Sequence, residues 1–468
     1  MIAGLSPYPD MEDSGVPWLR EVPAHWAVVR GRHLFEIKKR IVGELGHPVL
    51  SVTQEGLRRK NIETGEGQQS QDYSKYQIVE TGEFAMNSMD LLTGGVGIAA
   101  RPGVTSPDYR VFAVRDETRS HRTYMLRVLR MLYRNRGFYS WGQGSAQLGR
   151  WRLPRKRFND FPFPSPSFAE QSAIVRFLDY ADRRIRRYIR AKQKLIKLLD
   201  EQKHAIIHRA ITRGLDPNVR LKPSGVEWLE NIPQHWEVLR SKYLFREIDR
   251  RSADGSEEHL SMSQRLGLVP SHLVENRTLV SESYAGGKLC EVGDLVLNRL
   301  KAHLGVFALA EYAGVVSPDY TVLRPLDLAG TAYFESVLRS PACRRELRVR
   351  AKGIVEGFWR LYTDDFYDIR LPVPPGRERV AIVEHNRRTT REMNLGISRT
   401  EREISLLSEY RTRLIADVVT GKLDVREAAQ RLPDEPEQPG LLDETHAVAD
   451  GEEEPAADLG PLLEEAGT

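Results

Sequence analysis

Cysteine is nearly absent from this chain of 468 residues: only Cys290 and Cys343 occur, with no C-x-x-C spacing. That excludes a disulfide framework and a cysteine-built zinc site. No run approaches the roughly 18 apolar residues needed to cross a bilayer. The opening MIAGLSPYPDMEDSG has neither a basic n-region nor an apolar h-region, so no export is expected and the cytoplasm is the expected location. The phosphate loop G-x-x-x-x-G-K-[ST] is missing too. AGGKLC at 285–290 has the lysine without the first glycine or the following hydroxyl residue.

Other catalytic signatures fail on one residue each. His204 and His208 have metal-ligand spacing, but Ala205 stands where a zincin carries its glutamate and no third ligand follows. They read as solvated helix residues. SPDY at 106–109 and 317–320 resembles the [DNS]-P-P-[YF] signature of amino-methyltransferases, yet Asp108 and Asp319 replace the second proline. It reads instead as a turn feeding a strand. Neither P-D pair begins a nuclease set, because DET at 116–118 continues to Arg119, and GGVGIA at 94–99 is a lone glycine run. The residues predict no catalytic constellation, no metal site and no cofactor site in this chain.

What is present is charge, unevenly placed. The chain carries 69 Lys and Arg against 65 Asp and Glu, a formal charge of +4, with 40% hydrophobic and 29% charged residues, as in a globular chain. Residues 434–468 hold 12 of those acidic residues and no Lys or Arg, which leaves a body near +16. A body this basic suits a polyanion such as nucleic acid, where each neutralised phosphate releases counterions. The acidic end, rich in Pro, Gly and Ala, reads as solvated and disordered.

The chain also repeats itself. GVPWLREVPAHW at 15–26 returns as GVEWLENIPQHW at 225–236. RGRHLF (30–35) returns as RSKYLF (240–245), LSVTQ (50–54) as LSMSQ (260–264) and GEFAMN (82–87) as GDLVLN (293–298). WRL recurs at Trp151 and Trp359, AIV at Ala173 and Ala381, and T-x-x-L-D at Thr212 and Thr420. The offset stays between 208 and 211, so one unit of about 210 residues is duplicated.

Each copy has two parts. The first mixes strand-like runs (WAVV, YQIV, VGIAA, YRVFAV) with turn residues and one helical stretch, 124–136 in copy one and 332–350 in copy two, which predicts a compact α/β (α+β) domain. A proline-rich segment then precedes a proline-free run, as at the start of a helix. In copy one, Ile174, Leu178, Ala181, Ile185, Tyr188, Leu195, Leu199 and Ile206 follow a four-three spacing with a polar skip at Lys192. Copy two repeats it with Met393, Ile397, Ile404, Leu407, Leu414 and Val418, more weakly over 386–396. Each would make a rod of roughly 60 Å, and the simplest partner for each stripe is the other. The expected organisation is an opening segment (1–25), a recognition domain (26–166), a central helix (167–215), a linker repeating the opening motif (216–235), a second recognition domain (236–374), a C-terminal helix (375–425) and the acidic end (434–468).

Three features together resemble the DNA-specificity subunit of type I restriction–modification systems: the doubled SGVPWLREVPAHWAVVR and SGVEWLENIPQHWEVLR, the boundary FPFPSPSFAEQSAIVRFLD, and the closures AIIHRAITRGLD (205–216) and LIADVVTGKLDV (414–425). The likeness spans residues 10–430; copy two departs with Arg379 in place of glutamine and with Gly396 inside its helix. The resemblance implies a subunit without its own catalysis. Its two target-recognition domains would each read half of a bipartite, asymmetric site in double-stranded DNA. Two long helices, packed as an antiparallel coiled coil with pseudo-twofold symmetry, would fix the gap. Modification subunits, two of them, would carry S-adenosylmethionine, and restriction subunits would carry ATP and magnesium. Base edges are read by Arg, Lys, Asn and Gln, and phosphates by Lys and Arg. The DNA-contact candidates are Gln54, Arg58, Arg59, Lys60 and Arg152 in copy one, and Gln264, Arg265, Asn298, Arg299, Lys301 and Arg360 in copy two. The His25–Trp26 and His235–Trp236 pairs read as packing corners. Two other readings compete: a stand-alone DNA-binding regulator, and a methyltransferase or nuclease with unfamiliar motifs.

Overall fold

A computed structural model describes residues 5–62, 70, 72–145, 150–263, 266–274, 284–327, 330–353 and 359–433. The acidic stretch 434–468, Gln264 and Arg265 lie outside the described residues. The principal helices are α1 (Arg122–Arg134), α2 (Phe168–Arg213), α3 (Thr331–Arg339), α4 (Pro341–Arg350), α5 (Gly376–Val419) and α6 (Arg426–Gln430). Contacts divide the described chain into two compact units, 5–192 with 402–433, and 193–401. These units are not the two sequence copies, because each boundary falls inside a long helix.

Each unit holds the same four-stranded antiparallel sheet. In the first unit its order is Phe35–Lys38, Arg110–Val114, Phe84–Met86, Val96–Ile98; in the second, Phe245–Ile248, Tyr320–Pro325, Leu295–Asn298, Phe307–Leu309. All pairings between strands of the described residues are antiparallel, with parallel pairing only at isolated bridges such as Val49 with Val104, so each domain is mixed helix and strand without βαβ crossovers. The first core is aromatic, with Phe84 stacked on Phe112 at 5.0 Å and Phe35 edge-on to Phe112 at 5.1 Å. In the second, Phe245 meets Phe334 and Phe366. The single helical stretch expected over 332–350 is two helices, α3 and α4. Pro341 brings no amide hydrogen to continue α3, and the Ser340 hydroxyl instead caps α4 by accepting from the Cys343 amide at 3.3 Å.

The long helices run unbroken for 46 and 44 residues. The stripe on α2 differs from the expected one in its middle. Tyr188 and Leu195 are 51% and 46% exposed, whereas Ile189, Lys192 and Ile196 are more covered. The four-three spacing therefore passes through Ile185, Ile189, Lys192, Ile196 and Leu199. Lys192 sits in this stripe because its aliphatic stem packs while its amine reaches Glu403 on α5. Gly396 does not interrupt α5. Its bare face lies toward Leu199, and the Thr390 and Thr400 hydroxyls bond back to the Asn386 and Gly396 carbonyls at 2.7 Å. In the first unit Asp182 of α2 pairs with Arg411 of α5, and in the second Lys203 of α2 donates to Asn394 of α5 at 3.4 Å.

The repeated opening motif makes a junction with the ends of these helices. His25 lies 3.1 Å from Glu170 in the first turn of α2, and His235 lies 2.8 Å from Glu378 in the first turn of α5. The neighbouring tryptophans are buried, Trp26 at 3% and Trp236 at 0% exposure. Each packs beneath the left-handed glycine that closes a long helix: Trp26 under Gly421 (φ +79°), Trp236 under Gly214 (φ +72°). Buried tyrosines complete the joint. Tyr124 donates to the Val419 carbonyl at 3.1 Å and Tyr333 to the Ile211 carbonyl at 2.8 Å. A Cβ on Gly421 would lie 2.4 Å from Pro23 Cδ, whereas one on Gly43, also left-handed, would touch nothing. Gly421→Ala therefore lowers stability by about 2–4 kcal/mol and Gly43→Ala by about 1 kcal/mol, compared by chemical denaturation of the full chain. Equal losses would show that the glycine–tryptophan contact carries nothing.

Candidate nucleic-acid interface

Loops meet beside each sheet. In the first unit they are the hairpin tip 53–56, the loop 87–95 and the segment 150–153. The Asn87 side-chain oxygen accepts the Met89 and Asp90 amides at 3.1 and 3.3 Å, and Asp90 accepts Leu92 and Thr93 amides at 2.8 and 3.1 Å. Partial burial opposes ionisation of Asp90, but the Thr93 hydroxyl and these amides outweigh it and hold its pKa below the usual range. The loop is stitched to the third segment by Leu91 N to Trp151 O at 2.9 Å and Leu153 N to Ser88 O at 2.8 Å. Gln54 donates from its amide to the Thr93 carbonyl at 3.2 Å, which ties the hairpin tip to the same surface.

The second unit repeats the joint with more cationic side chains. Leu361 N donates to Arg299 O at 3.0 Å, and Arg299 Nε donates to the Asp319 carbonyl at 2.7 Å. The Asp319 carboxylate stands 3.9 Å from both the Arg299 and Arg360 guanidiniums. Asn298 accepts the Leu300 amide at 3.1 Å, and the Lys301 amide donates to Asn298 O at 3.0 Å. SPDY is the expected turn in both copies, with Tyr109 N to Ser106 O at 3.1 Å and Tyr320 N to Ser317 O at 3.0 Å.

Among the candidates, then, Asn298, Arg299, Lys301 and Arg360 are brought together, and Gln54 and Arg152 share one loop cluster. Arg58 is paired with Glu55. Arg59 and Lys60 stand at the far end of the hairpin from its tip, opposite Leu50 and Val49. Residues not chosen from the sequence are Asn87, Asp90, Asp319 and Arg110. Asn87 was signalled by its alignment with Asn298; Asp90 and Arg110 had no such signal, since copy two carries Lys301 and Thr321 there. Arg110 is buried under the loops, over the Phe158 ring at 4.9 Å, and donates to the Leu153 carbonyl at 2.7 Å. Burial pushes its pKa down to about 10. The arrangement offers guanidinium, amine and amide groups on exposed loops, the chemistry that recognises base-edge acceptors and phosphates. Among the described residues no three His, Cys, Asp or Glu are placed to hold a metal ion.

No family model matches the chain, and no curated protein matches it by sequence. Its fold does match solved structures. One, described for complex assembly and conformational transition of the type I R-M system, superposes with a TM-score of 0.62 at 12% identity, over 85% of this chain and 98% of that one. The HsdS subunit from Thermoanaerobacter tengcongensis (TM-score 0.46, 14% identity, 86% and 98% covered) and the type I restriction–modification S subunit from M. genitalium (0.33, 13%, 84% and 96%) also match, at superpositions too loose to carry an argument. The chain shares the fold of the first of these. At such identity fold alone is shared, and function has to be argued from the site.

Arg110 has one testable consequence. Arg110→Met removes the donor that holds Leu153 while keeping the space filled. Amide hydrogen exchange across 151–153 should speed up by about tenfold or more with the rest of the domain unchanged. Unchanged exchange there would show that the guanidinium does not fix this segment.

Proposed function

We propose that the chain is the DNA-specificity subunit of a type I restriction–modification complex, acting in the cytoplasm. The observation that supports this reading is the doubled loop surface: one chain presents two versions of the same loop joint, built on the same sheet and differing in side chains. Gln54 and Arg152 dominate one, and Asn298, Arg299, Lys301 and Arg360 the other. Two related surfaces with different side chains suit a target whose halves differ in sequence.

The remaining parts follow from that reading. Contacts between α2 and α5 run in opposite senses, Asp182 with Arg411, Lys192 with Glu403 and Lys203 with Asn394. This supports an antiparallel coiled coil relating the copies by a pseudo-twofold axis. The coil sets the unspecified gap and gives two modification subunits a place to dock. Methyl transfer from S-adenosylmethionine, and ATP- and magnesium-dependent restriction, belong to partner subunits. This chain holds no cofactor and contributes recognition only.

Two experiments test the reading. Inserting one heptad in register into both long helices adds about 10 Å to each, about three base pairs at 3.4 Å per step. The methylated motif should gain that many unspecified positions while both half-sites keep their sequences; a changed half-site would contradict the ruler. Arg299→Ala and Arg360→Ala should each cost about 1–3 kcal/mol in binding a cognate duplex and relax one half-site only. Equal relaxation of both halves, read by methylation of a randomised duplex pool, would contradict the division of labour.

A further inference from the structure

The first unit carries a concentration of arginines, one of which, Arg130, donates to the backbone of the hairpin tip. Arg127, Arg130 and Arg134 lie on α1, Arg186 and Arg190 on α2, and Arg411 on α5. Among the described residues, Asp179 pairs with Arg127 and Asp182 with both Arg186 and Arg411, while Glu55 acts on Arg134. Arg130 spends its donors on the Val96 and Glu55 carbonyls, at 3.2 and 2.7 Å. The six sense one another. Burial and then Arg134, Arg127, Arg411 and Arg186 push the Arg130 pKa down to about 10, and Arg186 is held down by burial, Arg411, Arg127 and Arg190. Mutual repulsion of this kind is relieved by an added anion.

Four of the six have no cationic counterpart in the other copy, whereas Arg130 and Arg411 match Arg339 and Lys203. The positions matching Arg127, Arg134, Arg186 and Arg190 are Ser336, Cys343, Asn394 and Ser398. A surface for the DNA backbone would serve both half-sites and so would be expected twice. The acidic stretch exists once, and the last described residues before it lie against α2. The Leu432 carbonyl accepts from Arg176 Nη2 at 3.0 Å on α2. Arg186 lies ten residues farther along that helix, about 15 Å, and five extended residues span roughly 17 Å. Glu437, five residues on from Leu432, therefore comes within reach of Arg186, with nine further carboxylates behind it.

We infer that the acidic stretch beginning at Asp434 docks on this arginine cluster and screens it from other polyanions. The contact is a fuzzy, multivalent charge pairing of guanidiniums with carboxylates, which salt weakens. This inference does not depend on the specificity-subunit reading, since it rests on the charge and reach of the two partners.

Both native cysteines are buried, so Ala447→Cys in the full chain gives one labelling position for a fluorophore. Fluorescence anisotropy decay of that label should show slow motion at about 50 mM salt and motion at least about threefold faster at about 500 mM. In R134E/R190E, two arginines that make no ion pair among the described residues, motion should be fast at both salts, with R134Q/R190Q intermediate and far-ultraviolet dichroism unchanged. Slow motion that persists in R134E/R190E would overturn the proposal. So would fast motion in the parent chain at low salt. If the label is unaffected by R134E/R190E while affinity for a short duplex falls about tenfold, the cluster is a DNA surface and the inference is wrong.

Discussion

Each sheet-bearing domain is held to the long helices through one junction, an aromatic ring beneath a helix-closing glycine with a histidine–glutamate contact beside it. Trp26 under Gly421, with His25 on Glu170 and Tyr124 on the Val419 carbonyl, holds the first unit together. Trp236 under Gly214, with His235 on Glu378 and Tyr333 on the Ile211 carbonyl, does the same in the second. In each case the start of one long helix and the end of the other meet on the same domain. Neither domain could be seated by its own helix alone. This is why the opening motif has to occur twice, and why a glycine follows each long helix: a side chain would enter Pro23 and the indole at Gly421, and would press on the Glu378 carboxylate and the indole at Gly214.

The junction leaves the opposite part of each domain free to differ. Asn87 and Asn298 open equivalent loops with the same backbone bonding, and the WRL segments return to those loops through Leu153 and Leu361. Around that constant frame the side chains change, from the buried Ser88 to the half-buried Arg299 and from Asp90 to Lys301. A fixed scaffold with variable tips is what the proposed two-part reader of sequence requires.

Much of this was legible before any coordinates, because duplication leaves a signal that local pattern does not. The WAVV, YQIV, VGIAA and YRVFAV runs all contain strands, and proline marks the start of both long helices. The middle of the α2 stripe was misplaced because apolar residues occur on adjacent positions, Tyr188 with Ile189 and Leu195 with Ile196, and only packing decides which turns inward. The α3–α4 break was missed at Pro341, whose place at a helix start looks in sequence like an interruption. The loop candidates were half legible: Asn298, Arg299, Lys301 and Arg360 converge, but hydrophobic periodicity says nothing of an ion pair such as Arg58–Glu55. The exchange of Gln171 for Arg379 also finds its reason only in space. Gln171 ties the His121 amide and the Arg119 and Pro166 carbonyls, whereas Arg379 turns to Asp327 over the Phe334 ring.

The central claim is that two non-identical reading surfaces on one chain define a two-part DNA target. Mapping methylated adenines across the genome in cells with and without this gene tests it directly. The account predicts that loss of the gene erases methylation from one motif made of two short specified blocks separated by a fixed unspecified gap. Loss from an uninterrupted motif, or no loss at any motif, would contradict it.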